Sequence, residues 1–154
     1  MIIYQSIDQT KTVIKPWGQE KWIQQGQGDH TYVLKEIILT QGHRTSIQVH
    51  RYKSETNYIL EGTGEIWFSE KTFDCDKYAA GQYSAEDIGL IIRSLKRVTY
   101  GPGSVMQINP GTIHRMVATT DLRFVEASTC HLDDVIRLQD DAQRGDGRID
   151  SEHK

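Results

Sequence analysis

Cysteine is scarce in this chain. Cys75 and Cys130 are the only two, far apart and without CxxC spacing, so no disulfide knot is expected and both read as reduced thiols. Three prolines in 154 residues leave no collagen-like composition. No apolar run approaches the ~20 residues of a membrane span. The longest, around Ile37-Ile38-Leu39 and Leu90-Ile91-Ile92, are strand-sized. The opening MIIYQSIDQTK lacks a basic segment followed by a long apolar stretch, so no secretory signal is expected and the protein is expected to be cytoplasmic. Basic charge is not in excess either. Lys plus Arg is 18 and Asp plus Glu 21, and residues 133–154, with seven acidic and four basic side chains, carry the whole net charge of −3. A neutral body with a mildly acidic tail is a poor polyanion binder, so neither nucleic acid nor membrane is an expected partner.

What remains fits a soluble globule, with 37% hydrophobic and 25% charged residues. A chain of this length forms one domain, 1–154, that buries roughly 70% of its unfolded surface. β-Branched and aromatic runs between turn signals dominate: 31–39, 46–50, 56–60, 65–68, 97–100, 105–108, 115–119 and 122–127. Gly62-Thr63-Gly64 between two of them predicts a hairpin. Many short strands at close spacing indicate an all-β sandwich or barrel. Two stretches read as helical. Ile88, Ile91, Ile92 and Leu95 follow Ser84, a candidate N-cap, and Leu132, Val135, Ile136 and Gln139 follow Asp133 and Asp134 at a favourable helix N-terminus. Residues 145–154 lack periodicity and are expected to fray.

Convergent lone-pair donors are the chemistry to look for. Gln48 and His50 have the i, i+2 spacing that puts both on one face of a strand, Glu55 lies just past the next corner, and His114 follows a later glycine turn. Two imidazoles, a carboxylate and an amide oxygen suit one divalent ion, with zinc the first expectation and manganese, nickel, cobalt or iron the others. His43 and His131 read as exposed. Trp17, Trp22 and Trp67 read as core or interface before sugar platforms.

The glycines around these donors carry a resemblance. Gly42, then Gln48, His50, Glu55 and Gly62 follow the spacing of the first cupin motif, G-x5-H-x-H-x3-4-E-x6-G, with Gln48 at the first histidine. Gly103, Pro110, Gly111 and His114 resemble the second, with the proline displaced by one place and Ala118 at the final asparagine. Lys15-Pro16-Trp17-Gly18-Gln19-Glu20, the Ser46-Gln48-His50-Glu55 block, Ile108-Gly111-His114-Arg115 and Asp133-Asp134-Val135-Ile136-Arg137 to Arg144 are similar to the cupin module of type II mannose-6-phosphate isomerases. In that subfamily Gln48 is a match. The resemblance spans most of residues 13–144.

It implies a cupin jelly-roll barrel, here with a short C-terminal helix, and without the guanylyltransferase half that often accompanies the module. It implies a metal held by Gln48, His50, Glu55 and His114, and a sugar-phosphate isomerase that moves a proton between C1 and C2 through an enediolate. Lys35, Glu126 and Lys15 are candidates for the base, and Arg137 joins the catalytic set by resemblance. Arg44, Lys53 and Arg115 are candidates for gripping a small-molecule sugar or its phosphate. Lys53 stands where the family has arginine, losing the bidentate fork. The stretch 69–96 is longer than usual and is expected to reshape or cover the barrel mouth. A non-catalytic sugar or nucleotide-sugar binding cupin of polysaccharide biosynthesis and a metal cupin oxygenase or lyase are the alternatives. A homodimer paired through edge strands or Met1–Val13 is expected.

Overall fold

Period-two burial runs through the strands that enclose the core of the computed structural model, which describes all residues 1–154. β3 (Val33–Leu39) alternates buried and half-buried side chains along its whole length, and β10 (Leu122–Ser128) does nearly the same. One face of each strand therefore meets a core. β1 (Lys11–Lys15), β2 (Gly18–Gln25), β3, β10, β5 (Glu55–Glu61) and β8 (Val105–Ile108) form one antiparallel sheet in that order. β11 (Ile136–Gln139), β4 (Ile47–Val49), β9 (His114–Ala118), β6 (Gly64–Phe68) and β7 (Lys96–Tyr100) form the other. Their inner faces enclose an apolar cluster that includes Ile37, Leu39, Ile59, Met116, Leu122 and Phe124. This is the expected all-β jelly roll.

Gly62-Thr63-Gly64 does not close a hairpin. β5 pairs with β10 and β8, and β6 with β7 and β9, so the glycines carry the chain from one sheet to the other. Gly62 has φ +90°, and a Cβ there would lie 2.0 Å from the Asp121 carbonyl oxygen. Glycine marks a close crossing here rather than a tight turn.

The stretch 69–96 forms α1 (Cys75–Ala79) and α2 (Ala85–Arg93). Ser84 caps α2 as its position predicts: its Oγ accepts from Asp87 N at 3.0 Å while Asp87 Oδ2 accepts from Ser84 N at 2.8 Å. Both helices lie on the outer face of the smaller sheet, where Ile47, Val49, Phe73, Leu95 and Ile113 form a second apolar cluster. They do not cover the mouth, because their apolar faces are spent on that sheet.

The C-terminal helix is absent. Asp134, read as a helix-start charge, instead accepts from the backbone N–H groups of Arg51, Tyr52 and Lys53 at 3.0, 2.7 and 2.9 Å. The residues beyond it form β11 against β4, with Ile136 opposite Val49. A sheet edge in need of a partner overrides a short helical pattern. Nor does the tail fray: Asp150–His153 make a 3-10 turn, and Glu152 bridges Lys15 at 2.5 Å and Arg144 at 3.2 Å. The β1–β2 hairpin had no clear mark in the sequence. No helix is long and apolar enough to cross a membrane. Both cysteines are free thiols, Cys75 buried and Cys130 exposed.

Candidate metal centre and the cavity around it

The inward positions of the strands turn from apolar to ionisable toward one end of the barrel. On β5, Glu55 and Asn57 precede Ile59; on β10, Glu126 follows Phe124; on β3, Lys35 precedes Ile37. All are buried. They surround a cavity of about 100 Å³ that Trp17 and Trp22 also line.

At its centre stand His50, Glu55 and His114, whose ligand atoms lie within 4.8 Å of one another. Glu55 Oε1 is 3.2 Å from His114 Nε2, and Oε2 is 3.9 Å from His50 Nε2. Hydrogen bonds fix both imidazoles. His50 Nδ1–H donates to the Asp134 carbonyl at 2.5 Å and His114 Nδ1–H to the Thr112 carbonyl at 2.9 Å. Each Nε2 thus turns a lone pair inward, the tautomer a metal requires. His50 Nε2 is buried without any partner. Gln48 faces His114 across the β4–β9 pairing. Its amide nitrogen is 3.4 Å from His114 Nε2, and its oxygen accepts from Ser46 Oγ at 2.8 Å. A half-turn of the amide exchanges the two ends, and Ser46 can serve either.

Buried charges of both signs surround these donors. Glu20, Glu55 and Glu126 face Lys35 and Lys53 inside the cavity. Burial and the Lys53 ammonium push His50 down to about 3, which keeps it neutral, the form able to donate a lone pair. Burial would raise Glu55, but Lys53 and His114 hold it well below the usual carboxylate range. Burial and the Glu55 charge push Glu126 up to about 7. Lys53 sits between these acids, 2.8 Å from Glu55 Oε2 and 3.3 Å from Glu126 Oε2. Burial works against its charge, yet Glu126 and Glu55 raise its pKa. Glu20 accepts from Lys35 at 3.0 Å and from Trp22 at 2.8 Å. Burial raises it, and Lys35 and Lys15 overcome that and bring it to about 2.

These shifts set the acid behaviour of the metal-free protein. Glu20, ordinarily near 4.5 and folded near 2, contributes stability that is full above 4.5 and lost as pH falls toward 2. His50, ordinarily near 6.5 and folded near 3, acts in the same direction from 6.5 downward. Glu126 opposes them, since its raised pKa favours the fold at low pH and that gain is lost as pH rises from 4.5 to about 7. Stability is therefore expected to vary little between 4.5 and 6.5 and to fall steeply below 4.5. Denaturant titrations at stepped pH check this, and Glu20→Gln should make the acid limb shallower. A stability maximum near pH 3 would contradict it.

The structure places Lys35, Glu126, Lys53 and Arg137 on the cavity with the four metal candidates. Lys15 lines it too, paired with Glu152. Arg137 is held by the strap 132–153 that walls one side: its guanidinium donates to the carbonyls of Gly145 and Gly147. Arg44 and Arg115 are not on the cavity. Arg115 follows His114 on β9 and so points to the opposite face, and Arg44 pairs outside with Asp141 at 2.7 Å. The expected grip of these two arginines on a substrate at the mouth is corrected by that alternation. His43 and His131 are exposed. Trp67 lies on the outer face, against the second apolar cluster.

Three contributors had not been singled out for the site. Asn57, whose Oδ1 is buried and unpartnered, is two residues beyond Glu55, so strand alternation would have found it. Glu20 ends the Lys15–Glu20 motif. Asp134 had been read only as a helix-start charge within the acidic stretch, because its role depends on a contact 84 residues away with His50.

The family model described as mannose-6-phosphate isomerase C-terminal matches residues 4–85, a segment that holds Lys35, Gln48, His50, Lys53 and Glu55 but not His114. No curated protein sequence matches the chain. Among solved structures, the capsular polysaccharide assembling protein CapF from Staphylococcus aureus is similar at 14% identity and TM-score 0.59, over 84% of this chain and 32% of that one. Ectoine synthase from P. lautus is similar at 15% identity and TM-score 0.59, over 83% and 78%. The polyketide cyclase RemF from Streptomyces resistomycificus is similar at 18% identity and TM-score 0.59, over 92% and 86%. At such identities the likeness shows the fold alone, a cupin barrel. The chain spans about a third of the length of CapF.

Proposed function

The chain belongs to the mannose-6-phosphate isomerase C-terminal family, and from that premise we propose a metal-dependent sugar-phosphate isomerase of the mannose-6-phosphate type. The observation that carries the reading is the convergence of His50, Glu55 and His114 beside the buried acid Glu126. Gln48, His50, Glu55 and His114 would hold one divalent ion, zinc first among those its donors suit. The ion would supply Lewis acidity to the sugar carbonyl and its neighbouring hydroxyl. Glu126 is the base best matched to neutral pH, since its raised pKa lets Oε take and return a proton there. Lys53 holds Glu126 and Glu55 in place. Lys35, bound to Glu20, offers a cation to an anionic substrate. Trp17, Trp22 and the strap exclude water. Arg137 braces that strap.

We further infer a cytoplasmic homodimer. Its support is the pair of free thiols and an apolar arm in which Ile2, Ile3 and Tyr4 are 91%, 83% and 96% exposed ahead of edge strand β1.

Metal analysis of the purified protein, followed by an assay of mannose 6-phosphate and fructose 6-phosphate interconversion, tests the proposal. We expect one bound ion per chain and turnover that disappears in His114→Ala and falls in Gln48→Ala. A loaded protein that converts neither sugar would sink the isomerase claim. A second reading, a sugar-binding cupin without turnover, is favoured by the description of the similar CapF as a capsular polysaccharide assembling protein. Sugar binding without conversion is its expected result.

A further inference from the structure

The outer face of the smaller sheet holds a second polar cluster, on the opposite side of the sheet from the cavity. Pairing register sets Arg97 of β7, Trp67 of β6 and Arg115 of β9 side by side across three strands. Arg44 joins them through its bridge to Val117. The guanidinium carbons of Arg97, Arg115 and Arg44 lie 3.8, 5.5 and 5.9 Å from the Trp67 ring centroid.

Arg115 is the anomaly in this group. Its side chain is 0% exposed. Nε donates to the Thr45 carbonyl at 2.8 Å, but NH1 and NH2 are buried with no hydrogen-bond acceptor, and so is Trp67 Nε1. The nearest acceptor to NH2 is Asp141 Oδ1 at 3.6 Å, and that carboxylate is already engaged by Arg44 at 2.7 and 3.1 Å. A buried cation with unmet donors is costly and calls for an anion. The cluster sets three guanidiniums and an indole N–H around the Asp141 carboxylate, and the Arg115 terminal nitrogens and Trp67 Nε1 remain without an acceptor.

We propose that Arg44, Arg97 and Arg115 form a binding site for a phosphate dianion, inorganic or as a phosphomonoester, separate from the metal cavity. A tetrahedral oxyanion of about two negative charges offers acceptors to the unpartnered Arg115 and Trp67 donors, and guanidinium forks suit its oxygens. The phosphate enters by displacing Asp141, which is 52% exposed and stands between Arg44 and Arg115. Asp141 is thus the internal competitor of the ligand. It lies two residues beyond β11, in the strap that walls the cavity.

Isothermal titration with inorganic phosphate, at fixed ionic strength in chloride and with a chelator present, tests this. We expect saturable one-site binding. Asp141→Asn should tighten it about tenfold, a gain of about 1.4 kcal/mol. Arg97→Gln, an exposed substitution that leaves the fold intact, should weaken it by a similar factor. Glycerol phosphate in a parallel titration separates free from esterified phosphate, and binding of either upholds an oxyanion site. Unchanged binding in both Asp141→Asn and Arg97→Gln overturns the proposal. So does loss of binding in Lys35→Gln alone, which would place the anion in the cavity.

Discussion

Lys53→Met is expected to cost the metal-free protein about 3–5 kcal/mol of stability, as breaking a buried ion pair on one side does. For a chain of this size that is a fall in melting temperature of roughly 10 °C. The reason is the position of Lys53 between two buried acids, 2.8 Å from Glu55 and 3.3 Å from Glu126. Without its ammonium neither carboxylate can ionise cheaply, and the pair must take up a proton. The deficit therefore carries a pH signature. Glu126, already raised to about 7 by burial and by Glu55, moves higher still, so stability is lost as pH rises through that folded value. The variant should be least impaired near pH 5 and most impaired above pH 7. Adding Glu126→Gln should recover most of the loss, because the uncompensated charge is then gone. Denaturant unfolding of the wild type, both single variants and the double variant reads the coupling. Equal losses at pH 5 and pH 8 would show that packing, not charge, is at stake.

The second large effect is expected at the imidazoles. His50→Ala and His114→Ala should each weaken divalent metal binding by more than about 100-fold, the upper range seen for residues that merely orient ligands. Stability gives an independent readout. A thousandfold excess of metal over its Kd should stabilise the wild type by about 4 kcal/mol and either variant by no more than about 1.4 kcal/mol. His50 is the sharper case, since its Nε2 is buried without a partner in the metal-free chain. Deleting it removes an unsatisfied atom together with a ligand, so His50→Ala should cost less metal-free stability than its complete burial suggests. A metal-induced shift that survives in full in both variants would move the centre elsewhere.

Much of this architecture was legible beforehand because it rests on short-range rules. Runs of β-branched and aromatic side chains between turn signals marked β3, β5, β6 and β10, and Ser84 announced the start of α2. The spacing of Gln48, His50 and Glu55 placed three donors near one corner. The errors share one cause. Gly62 and Gly64 looked like a hairpin because a glycine pair does not say which strands it joins. Leu132 to Gln139 looked helical because an eight-residue pattern cannot register an open edge of β4 waiting to be paired. Arg44 and Arg115 looked like substrate cations because their types suited a phosphate.

By itself the sequence determined the all-β class of fold, which depends on short runs between turns, while the resemblance of its motifs pointed to the family and to the candidate donors. The tertiary structure alone decided two further matters. It made Asp134 the acceptor for His50 and for the corner at 51–53. It closed one side of the cavity with the strap 132–153 rather than with the helices. Each of these joins residues far apart in the chain. Their physical cause is a contact formed only when the two sheets close, which no local pattern encodes.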